Sequence, residues 1–214
     1  MSNATDLFIQ PSRDHRSSES FWTSFFALSL LTESRAGLPL RIPAFQCVIE
    51  GRHGRFQPDG ELIVSRPLQR REVVVEGKIR AGFLPQISSV PNELLDLRPD
   101  LILSIDDSTI IVEVKTVGHK LGSYQKNCYE ELAHFLRGHG YEVDLYYLMS
   151  AGHENDRDFD LLQYDSSAPS PSFKILLWEK VFQWLSGRSP QSALLESLGD
   201  IAEYYRSDEQ YMSW

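Results

Sequence analysis

The feature that most constrains this chain is a double alternation between residues 98 and 115. Leu101, Leu103 and Ile105 alternate along one run and Ile110, Val112 and Val114 along the next, with Asp106, Asp107 and Ser108 between them. Two period-two apolar runs around turn formers predict a β-hairpin. With a loop of two or four residues whose pairing partners sum to 215, Leu101 faces Val114, Leu103 faces Val112 and Ile105 faces Ile110, and one face is wholly apolar. A three-residue loop would break that register. The other face then carries Asp100 opposite Lys115 and Ile102 opposite Glu113, because side chains two apart share a face. Asp100 and Glu113 become diagonal neighbours, roughly 7–8 Å apart at Cα, and both can reach one cation. Ile102 and Ile111 make this second face partly apolar, and a charge on a covered face is tolerated only when paired or metal-bound. Asp100, Glu113 and Lys115 therefore read as a site.

A second pattern lies downstream. Gln125 and Tyr129 stand four residues apart, which places both on one face of a helix. Ser123 is the expected N-cap of that helix. It runs to about Arg137 before Gly138 and Gly140, with Cys128, Leu132, Phe135 and Leu136 as its core stripe and Gln125 and Tyr129 at one flank.

Pro99-Asp100, a spacer and Glu113-Val114-Lys115, followed by Gln125-x-x-x-Tyr129, resemble the signature of the PD-(D/E)XK nuclease superfamily, in particular its RecB-type members. The resemblance covers roughly residues 70–150 and gains its specificity from the combination of motifs. It implies an α/β fold with an α-β-β-β-α-β core and a mixed central sheet of the restriction-endonuclease-like type. It also implies a Mg²⁺- or Mn²⁺-dependent deoxyribonuclease. Asp100, Glu113 and the backbone carbonyl of Val114 would hold the metal and Lys115 would position the attacking water. Gln125 and Tyr129 would hold the nucleophile or the substrate strand. Because such proteins often add a glutamate from the first helix, Glu19 and Glu33 are both candidates, and Glu76 is a third carboxylate near the hairpin. The alternative is a non-catalytic protein- or nucleic-acid-binding module that keeps the fold.

The remainder of the chain suits a single domain over 18–214, preceded by a polar leader at 1–17 without the apolar core of an export signal. At 42% hydrophobic and 24% charged residues the composition is that of a globular protein. No run of eighteen apolar residues predicts a membrane span, and Cys47 and Cys128, without metal-type spacing, read as reduced thiols of a cytoplasmic protein. The net charge of −9 argues against a nucleic-acid partner, but the charge is segregated: nine basic against five acidic residues over 35–80, and five against thirteen over 141–214. Arg52, Arg55, Arg66, Arg70, Arg71, Lys78 and Arg80 precede the proposed site, where they could contact DNA phosphates.

An aromatic-rich helix is expected over 18–34. Strands are expected over 45–49, over 61–64 after a turn at Pro58-Asp59-Gly60, and over 72–79; together they form a β-meander whose last strand pairs with the Asp100 strand. One helical turn is expected at 92–97 within a loop, and a flexible connection at 117–122 that includes His119. A strand at 141–149, linked through the helix to the Glu113 strand, should run parallel to it. A loop over 153–172 and two amphipathic helices over 173–185 and 190–205, the latter capped by Ser189 with Pro190 at its first position, complete the chain. These helices are expected to cover the sheet's second face or a homodimer partner. The histidines, among them His53, His134, His139 and His153, form no zinc-type pattern.

Overall fold

The computed structural model describes residues 19–50, 53–75, 91, 94, 97–106, 108–115, 122–149 and 173–187, without the side chains of 49, 50, 53 and 54. The leader, the 117–121 part of the connection with His119, the 153–172 loop, the helix over 190–205, and Arg52, Glu76, Lys78, Arg80 and His153 lie outside the described residues. The chain order is α1 (Glu19–Ala36), β1 (Leu40–Glu50), β2 (His53–Val64), a 3₁₀ turn (Arg70–Glu72), β3 (Val73–Val75), β4 (Leu101–Ile105), β5 (Ser108–Val114), α2 (Ser123–Gly138), β6 (Glu142–Met149), β7 (Lys174–Leu177) and α3 (Trp178–Ser186). Among the described residues the architecture is mixed α/β: one seven-stranded sheet in the order β2-β1-β7-β6-β5-β4-β3, flanked by the three helices named.

The hairpin forms as β4 and β5, antiparallel, and β6 runs parallel to β5 after the α2 crossover. Its register departs from the expected one by two residues. Leu101 pairs with Val112, Leu103 with Ile110 and Ile105 with Ser108, so that partners sum to 213. Ile105 pairing with Ser108 leaves a two-residue connection, in which Asp106 takes a φ of 56°, the left-handed conformation that two-residue hairpins demand and that aspartate tolerates. A shift of two keeps every side chain on its predicted face. Leu101, Leu103, Ile105, Ile110, Val112 and Val114 enter one core with α1 and α3, whereas Ile102 and Ile111 enter a second core beneath α2. The face expected to carry the charges is thus the covered underside of a helix.

Three other expectations are corrected. The strands before the hairpin do not form one meander: β1 and β2 make a long hairpin at one edge, while β3 pairs with β4 at the opposite edge. Pro58–Gly60 is no turn but a bulge within β2, where Gly60 has φ 80° and one extra residue lies between Pro58 and Glu61. The bulge reverses the alternation, so Phe56 packs on the face opposite Leu62 and Val64 despite sharing their parity. Residues 173–185, expected as one helix, divide into β7 and α3. Ile175, Leu176 and Leu177 are all buried, because β7 lies in mid-sheet between β1 and β6 with a core on each side.

The helices follow their apolar faces. Trp22, Phe25 and Phe26 of α1 interlock with Trp178 and Phe182 of α3, with Trp22 and Trp178 ring centroids 5.3 Å apart, so α3 shares the face of α1 and α2 covers the other. In α2 the expected Leu132 and Leu136 are buried, joined by Tyr129 and Ala133, whereas Cys128 and Phe135 are only partly buried. The N-cap is Gly122, with Ser123 already helical. At 91–97 the Leu94 N–H donates to Pro91 and the Leu97 N–H to Leu94. Cys47 is buried, Cys128 is partly exposed, and no disulfide joins them. No helix among the described residues is long and apolar enough to cross a membrane.

Candidate active site

At the carboxyl end of β5 five residues from three separate stretches of chain converge. Glu113 is the centre. It is 1% exposed, on the α2 face of the sheet, beside its β6 register partner Tyr147. Lys115 Nζ lies 2.7 Å from Glu113 Oε1. Gln125 donates from Nε2 to the same oxygen, and Tyr129 OH donates to Oε2 at 2.9 Å. The four-residue spacing of Gln125 and Tyr129 is what lets one helix present both donors to a single carboxylate, and the two side chains also meet each other at 3.3 Å. Tyr129 is buried in the stripe rather than at its flank because its phenol finds a polar partner inside an otherwise apolar layer.

Asp100 enters from the other strand. Its Oδ2 accepts the Val114 backbone N–H at 2.7 Å, which fastens the residue preceding β4 to the last residue of β5. Asp100 is not the diagonal neighbour expected; continuing the observed register by one place sets it across from Glu113. It is partly buried, and among the described residues it has that one hydrogen bond and no ion pair. Of the two first-helix glutamates, Glu19 is the one beside these residues. Glu19, at the start of α1, places Oε2 3.5 Å from Lys115 Nζ, whereas Glu33 is buried near the far end of the same helix, four turns on. An acidic residue opening an aromatic helix was the available sequence signal, but its meeting with Lys115 is a tertiary contact.

The charges explain the electrostatics. Burial first, then the Glu113 charge, raise the Asp100 carboxyl to about 7 against the opposing pull of the Val114 N–H and Lys115. Burial works against the Lys115 ammonium, but Glu113, Glu19 and Asp100 outweigh it and leave its pKa raised. Tyr129 is raised by burial and then by Glu113, with Gln125 opposing, so it stays a neutral donor. Two carboxylates contact the one ammonium, and the charge of a third, Asp100, acts on it.

Of the basic segment, the described arginines are not gathered here. Arg66 forms a two-sided clamp with Glu72 at 2.9 Å and Asp106 at 3.0 Å, at the turn of the hairpin and thus at the opposite end of β4 and β5 from Asp100. Arg70 donates to the Val73 carbonyl, near the same end, and Arg71 belongs to the same 3₁₀ turn. Arg55 is on β2, at the far edge of the sheet. Arg66, in particular, is committed to intramolecular partners because the turn carboxylate lies within its reach.

For a divalent metal, Asp100, Glu113 and the Val114 carbonyl form a hard-oxygen donor set of the kind Mg²⁺ takes, with one or two carboxylates and the remainder supplied by water or substrate. Among the described residues no three His, Cys, Asp or Glu side chains are already grouped as a ligand cage. The chemistry fits: Asp100 has acceptor capacity left, and burial first and the Glu113 charge second both disfavour its ionised form, which a cation would stabilise. No protein-family model, no curated protein and no solved structure matches the chain.

Proposed function

We propose that this chain is a Mg²⁺- or Mn²⁺-dependent nuclease that hydrolyses phosphodiester bonds in DNA, built on a restriction-endonuclease-like core. The observation that carries the reading is the buried Glu113 carboxylate held by Lys115, Gln125 and Tyr129, with Asp100 fastened to the adjoining Val114 N–H. Those are the residues the motif pattern names, from stretches that only the fold unites. The order α1, β3, β4, β5, α2, β6, with β1 and β2 interposed after α1, β3, β4 and β5 antiparallel and β6 parallel to β5, supports the reading through its likeness to the α-β-β-β-α-β core that the resemblance implies.

Asp100, Glu113 and the Val114 carbonyl would hold the metal, which when bound polarises the phosphoryl group and makes water a better nucleophile. The chain's own residues divide the remaining work. Lys115, a charged donor beside the carboxylates, positions the attacking water and offsets charge that grows on the phosphate oxygens. Gln125 and Tyr129 act through Glu113: by engaging both its oxygens from a rigid helix they fix the carboxylate's orientation. That role differs from the direct hold on nucleophile or DNA strand expected of them, and it makes them positioning residues. DNA contacts are not assigned to Arg66, whose charge is already matched.

One observation favours a second reading, the non-catalytic module: both Glu113 oxygens are satisfied without any metal. Cleavage of linear, circular and single-stranded DNA with Mg²⁺, Mn²⁺ or chelator decides between them. The nuclease reading expects product only with metal and none from Lys115→Ala or Asp100→Ala. Cleavage that survives chelator or both substitutions would overturn it, as would DNA binding without cleavage under every metal condition.

A further inference from the structure

Lys115 sits where the charge balance of the site would otherwise need a cation. Its ammonium is 2.7 Å from Glu113 and 3.5 Å from Glu19, it is only 6% exposed, and Asp100, fastened to the adjoining Val114 N–H, has no ion pair among the described residues. One flexible four-carbon side chain therefore has two carboxylate seats, a near one on β5 and a farther one on α1. The near seat is an oxygen of the residue that would ligate metal.

We propose that Lys115 is a built-in counter-cation of the metal-free site, that metal must displace it from Glu113, and that Glu19 is the seat that receives it. This rests on the nuclease reading and deepens it. Glu19 is accordingly a positioning residue for Lys115 and not a metal ligand.

The physical consequences are specific. An ammonium and a divalent ion cannot both approach Glu113 Oε1 closely, since like charges a few ångströms apart repel strongly where water is sparse. Metal affinity is then lowered by the work of moving Lys115. Glu19 reduces that work by offering the displaced ammonium an anionic partner in place of an unpaired buried position. The exchange also couples metal arrival to the release of the lysine toward its catalytic task, because the ammonium leaves Glu113 only when the cation replaces it.

The test is titration of the full chain with Mn²⁺, and separately with Mg²⁺, by calorimetry without DNA, using wild type, Lys115→Met, Glu19→Gln and the double variant. Thermal melts verify folding, and Lys115→Gln replaces Lys115→Met if the latter does not fold. Displacement predicts that Lys115→Met binds metal at least about tenfold more tightly than wild type, as expected for removing a close like charge, while cleaving no DNA. It predicts that Glu19→Gln weakens metal binding when Lys115 is present and has little effect in the Lys115→Met background. If Lys115→Met binds metal no more tightly than wild type, the exchange is overturned and the nuclease reading stands. If Glu19→Gln costs as much affinity in the Lys115→Met background as alone, Glu19 is a ligand and its proposed role is overturned. If no variant binds either metal, the nuclease reading falls and the exchange with it; binding only after Lys115 is removed supports the exchange.

Discussion

Tyr129 OH donates to Glu113 Oε2 at 2.9 Å across the boundary between helix and sheet. That bond joins the second turn of α2 to the end of β5, and both partners are about 1% exposed. The phenol's other neighbours are Gln125 Nε2 of α2, 3.3 Å away, and the Arg98 carbonyl of the chain entering β4, 3.4 Å away. One hydroxyl therefore contacts three stretches of chain.

Tyr129→Phe should keep the apolar packing of α2 and remove one charge-assisted donor from Glu113. The expected cost is about 1–3 kcal/mol of stability, the range for leaving a buried acceptor short of a partner. If Tyr129 orients Glu113, cleavage should fall by a larger factor in kcat than in KM, since a carboxylate held loosely affects the reacting complex more than substrate capture. Urea unfolding with steady-state kinetics checks both. A variant with wild-type kcat would show that Gln125 and Lys115 suffice.

The hairpin and the meeting of its charged residues were legible in the sequence because they rest on parity. The true register is two residues from the expected one, yet a shift of two returns every side chain to its face, so Asp100, Glu113 and Lys115 still converge. The register itself was hidden in turn chemistry: Asp106 takes a positive φ, which moves the turn one residue earlier. β7 was hidden for a different reason. Ile175-Leu176-Leu177 is a short unbroken apolar run, and such a run does not show whether it is a buried helix end or a strand covered on both faces. The contact of Lys115 with Glu19 and the clamp of Arg66 on Asp106 join residues 96 and 40 positions apart; no local pattern records either. The same separation hid the place of Arg66, which precedes the hairpin in sequence but lies at its turn, the end opposite Asp100.

Arg66→Ala tests that correction. Arg66 ties Glu72, ahead of β3, to Asp106 in the hairpin turn, and these partners raise its pKa, Glu72 foremost. Because its side chain and that of Asp106 retain solvent, the clamp is worth about 1 kcal/mol at most. The melting temperature should fall slightly, less so at high salt, and DNA affinity should not change. A clear loss of DNA binding, with a shallower dependence on salt, would return Arg66 to the phosphate contacts.

Substituting the two acidic residues should have unequal effects. Glu113→Ala strands the Lys115 ammonium with only the more distant Glu19, and deprives Gln125 and Tyr129 of their acceptor. Breaking a buried pair in this way costs about 3–5 kcal/mol. Asp100→Ala gives up one hydrogen bond from the Val114 N–H but also relieves the repulsion from Glu113, so its cost should be smaller by at least about 2 kcal/mol. Chemical denaturation at pH 8 without metal measures the difference. Equal losses would mean that Asp100 contributes a structural contact comparable to the Glu113 cluster.

The Asp100 carboxyl carries the last prediction, because its direction of shift is opposite to that of a salt-bridged acid. Burial and Glu113 raise it to about 7 in the folded chain, against about 3.9 for an aspartate in an unfolded one. Over that interval the folded state keeps a proton that the unfolded state has released, so this group's contribution to stability is greatest below the unfolded value and declines as pH rises toward 7. Asp100→Asn keeps an acceptor for the Val114 N–H and removes the titration. Relative to wild type it should gain stability steadily from pH 4 to 8 in metal-free buffer. Adding Mg²⁺ should reverse the order at pH 8: an ion that binds only the folded wild type stabilises it by about 2.7 kcal/mol at a hundredfold excess over its Kd, and the variant, lacking one carboxylate ligand, should respond far less. Thermal melts of both proteins at pH 5 and pH 8, with and without Mg²⁺, measure the two effects separately. If Asp100→Asn melts several degrees below wild type at pH 8 and neither protein responds to Mg²⁺ or Mn²⁺, then Asp100 is a structural tether between β4 and β5, and the non-catalytic module becomes the better account.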